Sequence, residues 1–143
     1  MKIHLKLDPA VVGQQMRRIP HGPNARLHWA TKYRWNRAWE ESVFTAVQQW
    51  RADHKQKSVP KMEKAKIEFV FYTIQALDED NSYFCLKPLL DALRAPRPSE
   101  KFKDCIRLEI IPDDDLAHVE IAVRQVRVNR RNDERIEIII EEK

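Results

Sequence analysis

Asp78 and Asp80 bracket Glu79 and are followed by Asn81, just after an apolar run from Ile67 to Ile74. In extended chain, residues two apart point to one face, so the two carboxylates would project side by side. Adjacent carboxylates repel unless a positive group lies between them, and a hard divalent cation with oxygen ligands is the usual solution. A second acidic run, Asp113-Asp114-Asp115, follows another apolar stretch. If the two runs meet, Asp78, Asp80, Asp113 and Asp114 become candidate ligands for Mg²⁺. Such an ion makes a water nucleophilic and stabilises a leaving oxygen, which are the two needs of phosphodiester hydrolysis. Lys87, in the predicted helix behind the first pair, is placed to stabilise negative charge on a phosphoryl group. The plainer readings are an N-capping motif at Asp78–Asn81 and a solvated turn at the triplet.

Other chemistries find little support. With only two glycines there is no Gly-rich phosphate loop. Cys85 and Cys105 lack CxxC spacing, which argues against a disulfide framework or zinc site and suits a reducing cytoplasm. The five histidines show no zinc-ligand spacing, and no serine sits in a nucleophile elbow. No apolar run is long enough to suggest a signal peptide or membrane helix.

The net charge of +4 is unevenly placed: Met1–Leu77 carries +8 and Asp78–Lys143 carries −4. A basic half beside an acid-clustered half suits a protein that grips phosphate with one part and holds metal with the other.

The 143 residues fit one domain with one core. Met1–Leu7 alternates as a strand. Residues 8–19 form a connection. Residues 19–35 begin as a loop at Pro20, Gly22 and Pro23, where Asn24, Arg26, His28 and Lys32 are candidate nucleic-acid contacts beside Trp29. From about Lys32 to His54, Trp35, Trp39, Val43, Val47 and Trp50 recur at helical spacing, widened by Phe44. Thr31 is a possible N-cap. Glu40 falls on the face opposite the stripe. The tryptophans read as core or dimer-interface residues rather than base-stacking groups. Ala65–Gln75 reads as a central strand. A second helix ends near Leu93, and starts either at Asp80 or Asn81 with a bend at Pro88, or near Lys87 with Pro88 in its first turn. Ile106–Ile111 reads as a short strand. Strands are also expected at His118–Val128, with a phase change at Gln125 suggesting a bulge, and at Arg135–Glu142, the last two forming a hairpin. The fold class expected is α/β (α+β), a mixed sheet with two main helices.

P-N-A-R-x-H-W, then D-x-D-N, then L-K-P-x-x-D-A-L, then P-D-D-D and a terminal hairpin resemble the RusA family of Holliday-junction resolvases, over about Pro20 to Glu142. The resemblance implies a phage- or prophage-encoded, homodimeric, Mg²⁺-dependent endonuclease of the host cytoplasm, with Mn²⁺ able to substitute. It would resolve four-way DNA junctions by paired symmetric nicks. It puts catalytic aspartates at Asp78, Asp80 and one of the triplet, Asp114 by position, and the functional lysine at Lys87. Asn81 and Lys87 are separated by five residues, more than in founding members of the family. The alternatives are an inactive branched-DNA-binding module of the same fold, or a metal-dependent nuclease acting on flap DNA or RNA.

Overall fold

The computed structural model describes residues 1–22, 25–77, 82–83, 85–100 and 105–143. Among these, β1 (Lys2–Lys6), β4 (Ala65–Thr73), β5 (Val119–Arg127) and β6 (Arg135–Glu142) form a mixed sheet in the order β1-β6-β4-β5. A separate ribbon pairs β2 (Ala10–Val12) with β3 (Gln15–Arg17). Among the described residues, the long helix is α1 (Trp29–Asp53), a shorter one is α2 (Lys87–Leu93), and a 3-10 turn runs over Arg131–Asp133. The expected α+β class with a mixed sheet is what the chain adopts. No helix among the described residues is long and apolar enough to cross a membrane.

β4 is central, as its run of β-branched and aromatic residues predicts. It pairs parallel with β5 and antiparallel with β6. The last two strands are antiparallel in direction, but β4 lies between them. β5 therefore bonds to β4, and β6 to β4 and β1, rather than to one another as in the expected hairpin. The β4–β5 register runs unbroken from Ala65↔Val119 to Thr73↔Arg127, so there is no bulge at Gln125.

One face of the sheet packs on the helices. Ile67, Phe69 and Phe71 of β4, Ile136, Ile138 and Ile140 of β6, and Ile3 and Leu5 of β1 are all buried there. The α1 stripe of Trp35, Trp39, Val43, Val47 and Trp50 joins the same cluster, as do Leu89 and Leu93 of α2. Each large side chain withdrawn from water in this way contributes roughly 1.5–3 kcal/mol. The tryptophans of the stripe are thus core, leaving Trp29 (76% exposed) and Phe44 (42% exposed) outside it.

Several details differ from the sequence reading. The N-cap of α1 is His28, not Thr31: its Nδ1 accepts from the Ala30 N–H at 3.3 Å. The helix ends with Lys55 in the left-handed region at φ 52°. Gln56 N–H donates to the Arg51 carbonyl and Lys55 N–H to that of Ala52, which is the Schellman pattern usually built on glycine. Residues 8–19 contain the β2–β3 ribbon, turned at Gly13 (φ 61°). As first central residue of a two-residue turn, Gly13 meets the demand for positive φ without strain. Helix α2 has Pro88 in its first turn, where no N–H is needed.

Ile106–Ile111 forms no strand. Its backbone donors are taken by the free carbonyls at the end of α2: Leu108 N–H donates to Ala92, Glu109 to Arg94, and Ile110 to Leu93. Helix ends leave such carbonyls unsatisfied, and this segment bends around them with Glu109 at φ 58°. Only Arg94↔Ile111 survives as an isolated bridge.

Candidate functional site

Strand β4 delivers the chain to Leu77, the last described residue before Asp78. Two side chains hold this exit. Glu134 Oε2 accepts from the Ile74 N–H at 3.1 Å. The Gln125 amide clamps Leu77 in both directions, accepting from its N–H and donating to its carbonyl, each at 2.7 Å. The sequence signal for Gln125 was present but misread. After Val119, Ile121 and Val123, a polar residue continues the same face of the strand at an exposed position, and its amide is spent on Leu77. Asp78, Asp80 and Asn24 lie outside the described residues.

Asp113 and Asp114 precede β5. One nitrogen of Arg97, Nη2, lies 2.7 Å from Oδ1 of Asp113 and 2.7 Å from Oδ1 of Asp114. Two carboxylates thus converge on one point of positive charge. The Arg97 guanidinium, helped by the Asp114 backbone N–H, holds Asp113 down at about 2. Among the described residues no group of three or more metal-binding side chains occurs. The Asp113–Asp114 pair is therefore at most part of a cation site. Its carboxylate oxygens are hard donors of the kind a divalent ion takes, and Arg97 lies at the point between them.

The two acidic runs are not brought together by the described residues. Gln125, which holds Leu77, pairs with Phe71, whereas Val119, just after the triplet, pairs with Ala65. Six residues of strand separate these levels, about 20 Å. A shared site requires the 78–81 segment to run back along β5 toward Val119.

Arg97 is positioned by a buried ion network. Glu100 accepts from Arg94 at 2.8 and 3.0 Å, from Arg107 at 3.0 and 2.6 Å, and from the Arg97 N–H at 2.8 Å. Arg94 also pairs with Asp91 at 3.1 Å, and Arg107 with Glu40 at 2.9 Å. Glu40, expected on the exposed face of α1, is buried and also accepts from the Ile106 N–H. Burial pushes the Glu40 carboxyl up, while Ile106 and Arg107 oppose that. Glu100 is held far below the usual carboxylate range, chiefly by its hydrogen bonds from Arg94. No sequence spacing announces this network, because its members come from α1, α2 and two loops.

Lys87 opens α2 with its side chain exposed, and Lys32 is exposed in the first turns of α1. Both line one cavity of about 390 Å³ with His21, Trp35 and Trp39. Arg26 and His28 are exposed on the loop before α1, where the His28 ring lies 5.6 Å from that of Trp29. His28 thus has a capping role of its own. A wider groove of about 790 Å³ runs beside the β4 exit and is lined by Arg17, Arg18, Arg131, Thr73 and Leu77. These three arginines were not singled out from sequence, because Arg17 and Arg18 at the end of the ribbon and Arg131 in the turn before β6 are far apart in the chain.

No protein-family profile matches this chain. No curated protein sequence matches it either.

Proposed function

We propose that the protein is a Mg²⁺-dependent endonuclease that resolves four-way DNA junctions, with Mn²⁺ as a substitute ion. The observation that carries the reading is the convergence of Asp113 and Asp114 on a single cationic nitrogen. Carboxylates aimed at one point form the acidic half of a hard-cation site. When bound, the divalent ion supplies Lewis-acid polarisation of the phosphoryl oxygens and a more acidic water. Asp78 and Asp80 complete the ligand set with Asp113 and Asp114 in this reading, which requires the 78–81 segment to close the roughly 20 Å between the levels of Leu77 and Val119.

The chain's own residues supply the rest. Gln125 and Glu134 fix the backbone that leads into Asp78. Lys87 stabilises charge on the reacting phosphoryl group. Arg17, Arg18 and Arg131 line a groove that suits one phosphate backbone, and Asn24, Arg26, His28 and Lys32 extend the contact. Paired nicks across a junction call for two sites related by a two-fold axis, hence a homodimer. The substrate test compares four-way, flap and duplex DNA, and RNA, under Mg²⁺. Preferential cutting of the four-way junction supports the reading, and preference for another substrate replaces it.

A second reading is a branched-DNA-binding module without nuclease activity. The same contact favours it: Arg97 neutralises the aspartates with no metal required. Mn²⁺ soaking separates the two: absence of an ion between Asp78, Asp80 and Asp114 favours the second reading.

A further inference from the structure

The cavity between residues 20–22, Ala25 and Leu27, the first half of α1 and the start of α2 combines features that a core defect does not need. Its aromatic wall includes Trp35 and Trp39, 4% and 1% exposed. The His21 ring stands edge-on to Trp35 at 5.2 Å. Two buried polar atoms on residues of this wall, Trp39 Nε1 and His21 Nδ1, have no hydrogen-bond partner among the described residues. Unmade hydrogen bonds of this kind are costly, and a ligand that brings acceptors to them removes that cost. Burial, and then Arg17, push the His21 imidazole down, which keeps it neutral and uncharged toward a ligand.

The charge at the same cavity points one way. Lys32 and Lys87 both line it, and neither has an ion-pair partner among the described residues. No acidic side chain is among its described lining residues. The volume, about 390 Å³, falls in the range of small-ligand sites, roughly 300–1,000 Å³. Aromatic walls, unmet polar atoms and two free ammonium groups together select a planar polar ring carrying a phosphate.

We propose that this cavity receives one unpaired nucleotide of a DNA strand, its base against Trp35 and Trp39 and its phosphate between Lys32 and Lys87. The inference rests on the junction-nuclease reading, in which Lys87 acts on the reacting phosphoryl group. It goes further by placing a nucleotide next to that phosphate outside the base stack. Extruding a base is costly, and least so where it is already unpaired. A pocket of this kind therefore favours branched DNA over duplex without reading sequence.

The test uses ¹⁵N NMR of the full chain without metal, following the Trp39 indole N–H. Thymidine 5′-monophosphate, thymidine and inorganic phosphate are titrated separately. The nucleotide is expected to shift the Trp39 resonance saturably, thymidine to bind about tenfold more weakly, and phosphate to leave the indole unmoved. Trp39→Phe assigns the resonance. Because Trp39 is core, the deciding variants are the exposed Lys32→Ala and Lys87→Ala, each expected to weaken nucleotide binding about fivefold or more. An indole unmoved by nucleotide, or lysine variants that bind as wild type does, overturns the inference. Junction cutting by an otherwise normal protein in that case leaves the nuclease reading intact. Nucleotide binding by a protein that cuts no junction removes that reading and spares the pocket.

Discussion

Glu100 is the point at which the loop after α2 is tied to both helices, and Glu100→Gln tests that arrangement. The wild-type carboxylate neutralises Arg94 and Arg107, whose side chains are 4% and 9% exposed. Removing one partner of a buried ion pair typically costs about 3–5 kcal/mol. The cost here is lower for three reasons. Arg94 keeps Asp91, Arg107 keeps Glu40, and the Glu100 side chain is itself 18% exposed. A loss of about 2 kcal/mol is therefore expected at neutral pH, or roughly 6–8 °C in Tm for a chain of this size. The pH dependence fixes the mechanism. Glu100 is depressed in the folded state, so its contribution is present above the ordinary glutamate value and lost as pH falls toward the folded one. The gap between wild type and variant should accordingly narrow below about pH 4.3. Urea unfolding at pH 7 and pH 3 measures both. A loss under about 0.5 kcal/mol at pH 7, or a gap unchanged at pH 3, refutes the reasoning.

Three further outcomes follow from single contacts. Lys55→Gly should raise stability by about 0.5–1 kcal/mol in thermal melts, because only glycine takes the left-handed end of α1 without strain. Arg97→Gln should let the Asp113 carboxyl rise toward the usual value and tighten Mn²⁺ binding several-fold, read by carboxyl NMR and by EPR. Arg124→Gln, with the same charge change but paired to Glu68, serves as its control and should leave Mn²⁺ binding unchanged. Gln125→Ala should cost less than about 1 kcal/mol of stability, since its amide is exposed, yet lower junction cutting at least tenfold by releasing Leu77.

The elements set by local pattern were legible in the sequence. Trp35 through Trp50 at helical spacing gave α1 and its buried face, and the β-branched run of Ala65–Gln75 gave the central strand. Pro88 offered two helix starts, and its missing N–H suits the later one. What failed depended on partners distant in sequence. Ile106–Ile111 is apolar enough for a strand, but the α2 carbonyls claim its N–H groups. Glu40 looked solvent-facing until Ile106 and Arg107 reached it from 66 and 67 residues away. β4 between β5 and β6 could not be read from two strands joined by a short turn. In the candidate site, Lys87 and Lys32 are exposed on one cavity. Asp113 and Asp114 act as a pair, and the Arg97 that bridges them had no signal beyond a Pro-rich basic loop. Asp78, Asp80 and Asn24 lie outside the described residues.

The central claim is metal-dependent cleavage of branched DNA by the acidic pairs. Its most direct measurement is cutting of a synthetic four-way junction under Mg²⁺ by wild type, Asp80→Asn and Asp114→Asn side by side, with binding followed in parallel. The account predicts symmetric nicks by wild type, loss of cutting by at least a hundredfold in both variants, on the order of a lost catalytic metal ligand, and junction binding kept or improved because negative charge near phosphate is removed. An inactive wild type, or an Asp114→Asn protein that cuts as well as wild type, contradicts it.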